Sequence, residues 1–132
     1  MFGFSRGADV LELAAASLDA RLAERAGDRA GALTHWQRAV AAQDRLSYDE
    51  PPDWYYPVRE SLGGALLRAD RAAEAEAVFR ADLERNPRNP RSLFGLAESL
   101  AAQKKTADAA WVRAAFESGW READTRLTLA DL

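Results

Sequence analysis

Side chains of matching size recur along this chain at intervals of 34 residues, and no other feature constrains the fold as strongly. A unit that short cannot bury its apolar face alone, so repetition at such a period implies units that stack on one another. Setting the segment from Tyr56 over the segment from Pro90 pairs Leu62 with Leu96, Gly63 with Ala97, Leu66 with Leu100, Ala75 with Ala109 and Val78 with Val112. The first of these units carries two apolar stripes at i, i+3, i+4 spacing, from Val58 to Leu67 and from Ala72 to Leu83, parted by the polar break Asp70-Arg71. The pattern predicts a helical hairpin, made twice.

Prolines mark the joint between the two hairpins. The first ends at Asn86-Pro87, where proline has no donor to continue a helix, and the second opens at Pro90, which suits a first helical turn. Upstream, Leu11, Ala14, Leu18 and Leu22 form one stripe, Gly27-Asp28 interrupts it, and Ala32, Trp36, Ala39 and Val40 form another, which predicts a third hairpin. Ala32 to Ala75 is 43 residues where Ala75 to Ala109 is 34, so nine residues are inserted, within Leu46 to Tyr56. After Glu117-Ser118-Gly119, the residues Trp120, Ala123, Leu127 and Ala130 predict a last helix that shields the open end of the array. Seven helices are expected, near residues 9–26, 29–45, 55–69, 72–85, 90–103, 106–118 and 120–130. They would form a single domain over 9–132 behind a flexible segment 1–8, with repeats near 9–45, 56–87 and 90–118.

Composition agrees with an all-α chain: 29 Ala and 16 Arg, with Ile absent. At 132 residues it can bury a core without disulfides or metals. Up to Tyr56 there are six basic and nine acidic residues, and beyond it twelve of each, a balance unlike the concentrated positive charge of a nucleic-acid binder. Cysteine is absent, which removes thiolate chemistry and cysteine metal sites. The opening Met1-Phe2-Gly3-Phe4-Ser5-Arg6 does not read as a secretory signal and no transmembrane run follows, so the expected location is cytoplasmic, with no membrane partner. The preference for Arg and Ala over Lys and Ile is the bias of a GC-rich bacterial genome.

At Leu62-Gly63, Leu66, Ala75, Phe79 and Pro87 the sequence resembles the tetratricopeptide repeat family. The next unit carries Leu93, Leu96-Ala97, Leu100 and Ala109, with Arg113 where the family has an aromatic residue. The first carries Gly27-Asp28, Ala32, Trp36 and Ala39, with Leu18 and Leu22 one position early. The run from Tyr48 through Trp54-Tyr55-Tyr56 to Arg59, followed by Leu62-Gly63, is similar to the C-terminal end of longer bacterial tetratricopeptide proteins. The resemblance implies a right-handed superhelix of about three hairpins plus a C-terminal capping helix. It also implies a protein-interaction or assembly scaffold that holds a partner segment on its concave surface.

Catalytic, cofactor and metal roles find little in the residues. His35 is the one histidine and sits beside Trp36 on a predicted helix, where a boundary or surface role fits better than catalysis. Asp49, Glu50 and Asp53 lack the Gly-turn and terminal Glu of a calcium loop. Gly63-Gly64 lies inside a helix and reads as a site of close helix packing, not a phosphate loop. Arg85, Arg88 and Arg91 surround a turn whose charge is diluted by Asp82 and Glu84. No cofactor, metal or catalytic residue is expected, and the chain is not read as an enzyme.

A binding surface remains. In the family register the groove-facing positions are Glu60, Gly64, Leu67 and Arg68 in one repeat and Arg91, Phe94, Glu98 and Ala101 in the next. Exposed Phe94 or Leu67 would serve as an apolar anchor, and Phe94 buried against the final helix is the other possibility. Trp54, Tyr55 and Tyr56 either plug the space left by the insertion or wall the groove, and the plug is favoured because so much aromatic surface in water invites association. The expected partner is a protein or peptide, bound at Glu60, Leu67, Arg68, Arg91, Phe94, Glu98, Trp54 and Tyr55. A homodimer through the open ends, involving Trp120, or a regulatory arm of an enzyme are the alternatives.

Overall fold

The computed structural model describes the backbone of residues 2–49, 58–120 and 128–132 and the side chains of 7–46, 58–119 and 128–132. Among the described residues six α-helices follow in chain order: α1 (Phe2–Arg25), α2 (Arg29–Asp49), α3 (Val58–Arg68), α4 (Ala72–Arg85), α5 (Pro90–Ala102) and α6 (Thr106–Trp120), with a 3-10 turn at Leu129–Asp131. Among the described residues there is no strand, so the chain is all-α, and no helix is long and apolar enough to cross a membrane. The chain divides into two compact units, Met1–Val58 and Arg59–Leu132.

One turn is built three times. In α3–α4, Asp70 adopts φ 60°, the Arg71 amide reaches back to the Leu66 carbonyl at 2.9 Å and the Asp70 amide to Leu67 at 3.1 Å. At α5–α6, Lys104 adopts φ 62°, and Lys105 and Lys104 bond Leu100 at 2.9 Å and Ala101 at 3.0 Å. At α1–α2, Gly27 takes φ 77°, and Asp28 and Gly27 bond Ala23 at 2.9 Å and Glu24 at 3.1 Å. This pair of backward bonds with a left-handed residue between them satisfies helix carbonyls that would otherwise lack donors. Glycine suits that position because it has no Cβ to clash there, whereas Lys104 adopts it at a steric cost. Asp28 then caps α2, its Oδ1 accepting from the Gly31 amide at 2.9 Å.

In Arg59–Leu132 the 34-residue pairs share their surroundings. Leu62 and Leu96, Leu66 and Leu100, and Ala75 and Ala109 are buried, as are Gly63 and Ala97, while Val78 and Val112 are both half-buried. At the centre stands Phe79, fully buried. A Cβ placed on Gly63 would lie 2.4 Å from its ring, and one on Gly95 would lie 2.2 Å away, so α3 and α5 both approach the ring with bare backbone. The expectation that Gly63 permits close packing therefore finds its physical cause in Phe79. Outside this core, Glu98 pairs with Arg113 at 2.9 Å, and the Phe94 and Phe116 rings lie 5.6 Å apart, both joining α5 to α6.

In Met1–Val58 the expected core stripe is corrected. Leu11, Leu18 and Leu22 are 71%, 60% and 54% exposed, while Leu13, Ala16 and Ala20 are fully buried. The reason is Trp36, which is buried on α2: an indole at the interface leaves room for small residues opposite it, so alanines turn inward. Asp9–Arg45 at 2.7 Å, Glu12–Arg38 at 2.9 Å and Glu24–Trp36 Nε1 at 2.8 Å run in order from the open end toward the turn, as antiparallel helices require. The Arg21 guanidinium stacks over the Trp36 ring at 4.9 Å. Helix α1 starts at Phe2, earlier than the boundary expected near residue 9, and α2 extends through part of the insertion to Asp49. Residues 54–56, including Trp54, Tyr55 and Tyr56, lie outside the described residues. So does most of the helix expected over 120–130: α6 runs on to Trp120, and the described end is the 3-10 turn.

Candidate functional site

The face of α3 and α5 expected to form a groove rests on a buried polar tie. Asn89 caps α5, its Oδ1 accepting from the Arg91 amide at 3.1 Å, with Pro90 in the first turn. Its Nδ2 donates to Glu60 Oε2 at 2.8 Å and to Asp82 Oδ2 at 2.8 Å. Ser92 Oγ donates to the same Asp82 oxygen, Asn86 Nδ2 to Asp82 Oδ1 at 3.1 Å, and Arg91 Nε to Glu60 Oε1 at 2.7 Å. One asparagine thus ties α3, α4 and α5 together. Burial raises the Glu60 pKa above its ordinary value, and the hydrogen bonds from Asn89 and Arg91 oppose that rise. Both carboxylates are satisfied by donors of this chain, the state in which buried acids are tolerated.

Against Gly64 and Arg68 of α3 lies the last described segment. Leu132 is 1% exposed. A Cβ added to Gly64 would stand 2.7 Å from Leu132 Cβ and 3.2 Å from its carbonyl carbon, so the second glycine of the pair is the floor on which Leu132 sits. Arg68 Nη1 donates to the Leu129 carbonyl at 3.2 Å. The turn is closed from within: Asp131 Oδ2 accepts from the Thr128 amide at 2.7 Å and from Thr128 Oγ1 at 2.9 Å. These bonds from Thr128 hold the Asp131 carboxyl below its usual range, and the positive field of Arg91 adds to the effect.

The predicted partner-binding residues therefore have different fates. Gly64 and Arg68 meet the terminal segment, while Arg91 is paired with Glu60. Glu60, only 2% exposed, is a tie between helices and has no outward face for a partner. Phe94 is buried beside Phe116, which corrects the exposed-anchor expectation in favour of its buried alternative, with α6 as the packing helix. Leu67 is half-buried, Ala101 is exposed and Glu98 is engaged by Arg113. Trp54 and Tyr55 lie outside the described residues.

Sequence reasoning missed the seated segment. The spacing of Thr128 and Asp131, a capping pair, was the signal for a separate turn there. It also missed Trp111, which is 79% exposed and lines a cleft of about 390 Å³ together with Leu93, Leu96, Leu100, Val112, Arg80 and Asp108. His35 is half-buried, its Nδ1 accepting from Arg38 Nη1 at 2.8 Å. Among the described residues, no group of three or more His, Cys, Asp or Glu side chains is placed to hold a metal ion. No family model matches the chain, and comparison with curated proteins and with solved structures gives no match.

Proposed function

We propose that the chain is a bacterial, cytoplasmic scaffold of the tetratricopeptide kind, a right-handed superhelix of helical hairpins that binds a protein or peptide segment on the concave face of its first helices. One observation carries the reading. Two positions that the repeat register assigns to the groove, Gly64 and Arg68, are in contact with the segment Thr128–Leu132, which supports a face suited to a short stretch of polypeptide. The threefold recurrence of one helix-to-helix turn, at Gly27, Asp70 and Lys104, supports the repeat itself.

The test is retention from a bacterial lysate by the immobilised full chain. At least one protein is expected to be held by the wild type and by Arg88→Glu, on the exposed turn after α4, and released by Arg68→Glu. Identical capture by all three removes the reading.

A second reading, self-association, has one observation in its favour. Leu11, Ala15, Leu18 and Leu22 are all exposed along α1 at the alternating four- and three-residue spacing of a coiled-coil seam. Sedimentation across a wide concentration range tests it, and a monomer throughout removes it.

A further inference from the structure

We propose that the seat formed by Gly64 and Arg68 takes a partner segment that presents a leucine, and that the chain's own Leu132 occupies the seat until such a segment displaces it. The proposal rests on the scaffold reading above and names the ligand of that face.

The seat is specific in two ways. Its floor is bare backbone, because Gly64 lacks the Cβ that would collide with the Leu132 side chain and approach its carbonyl carbon. Glycine inside a helix costs stability relative to alanine, so two in succession call for two causes. Phe79 accounts for Gly63, and Leu132 accounts for Gly64. Its wall is a cation that reads backbone, since Arg68 donates to the Leu129 carbonyl, a group that every residue presents. A recess floored by glycine backbone and walled by one guanidinium fits a leucine side chain.

Arg68 anchors the resident segment by its Leu129 carbonyl at 3.2 Å, and Leu132 is its buried side chain, while Thr128, Ala130 and Asp131 are exposed. The internal Thr128–Asp131 bonds shape the turn and survive its departure. A tethered occupant of this kind competes at an effective concentration in the millimolar range, so it weakens an incoming segment by a large factor without abolishing binding.

The experiment is a nuclear magnetic resonance titration of the full chain with the synthetic peptide Thr-Leu-Ala-Asp-Leu, followed at the Gly64 amide and the Arg68 side chain. In Leu132→Asp, which empties the recess, the peptide is expected to shift both signals at concentrations at least about tenfold lower than in the wild type. Adding Gly64→Ala to that variant is expected to remove the response. Should the added methyl unfold α3, as circular dichroism reports, Arg68→Ala in the same background serves instead and is expected to weaken binding severalfold. Unshifted Gly64 and Arg68 signals in a folded Leu132→Asp chain overturn the proposal, as does equal affinity in wild type and variant. Either result leaves the scaffold reading standing if lysate capture still depends on Arg68, so the two failures are separable.

Discussion

In Met1–Val58 two helices bury alanines around a tryptophan, leave three leucines in water and are cross-linked by ion pairs at their margins. In Arg59–Leu132 the leucines turn inward, a phenylalanine is clasped by two glycines, and the charges that join the helices include two buried carboxylates. Both units use the same turn between helices. The difference shows that turn chemistry and core chemistry are specified separately: the turn needs one residue able to take a left-handed conformation, whereas the core needs matched volumes across several helices.

Breaking the clasp gives the largest expected effect. Phe79→Ala removes a fully buried ring from between backbones that cannot close over the space, and is expected to cost about 3–5 kcal/mol in urea titration. Amide exchange is expected to place the loss in α3, α4 and α5, with α2 protection kept, because the two units are separately compact. Equal loss of protection in α2 would make the chain one cooperative body and end the contrast.

How much of this was legible follows from the same contrast. Where the 34-residue period holds, Leu62, Leu96, Leu66 and Leu100 are where the sequence puts them, and α4 and α5 start where expected, at Ala72 and Pro90. In α1 nearly every face carries Leu or Ala, so periodicity cannot choose the inward one; the choice is made by the volume of Trp36 on the partner helix. Register placed Gly64 and Arg68 on one face of α3, but a leucine at residue 132 seated on a glycine at residue 64 is a contact between segments remote in sequence, and no local pattern encodes it.

A smaller effect sharpens the contrast between marginal and buried charges. Glu60 has its pKa raised in the folded state by burial. A raised folded value means that folding favours the protonated acid, so the contribution of Glu60 is full below the unfolded value near 4.5 and is lost as pH rises through the folded one. Glu60→Gln removes that titration and leaves every other acid in place. Urea titrations at several pH values are therefore expected to show the wild type gaining on the variant as pH falls from neutrality toward 4.5. A constant difference across that range would mean that Asn89 and Arg91 fully offset the burial. Changing Glu12, whose pair with Arg38 is half-exposed, is expected to yield no more than about 1 kcal/mol, and less in high salt.

The smallest effect is expected on the outer face of α1, and it is the most informative about that unit. If the core of Met1–Val58 is made by Leu13, Ala16 and Ala20, then Leu18→Ser touches nothing that folding buries and is expected to change stability by less than about 0.5 kcal/mol. Leu13→Ala, five positions earlier on the same helix, is expected to cost about 2–5 kcal/mol. The two together fix which side of the helix faces inward. Repeating the Leu18→Ser measurement at rising protein concentration adds a second discrimination, because a self-associating chain gains stability by mass action and a monomer does not. A cost that is absent when dilute and grows with concentration would mean that a second copy covers the leucine seam; a cost present at every concentration would return Leu18 to the core.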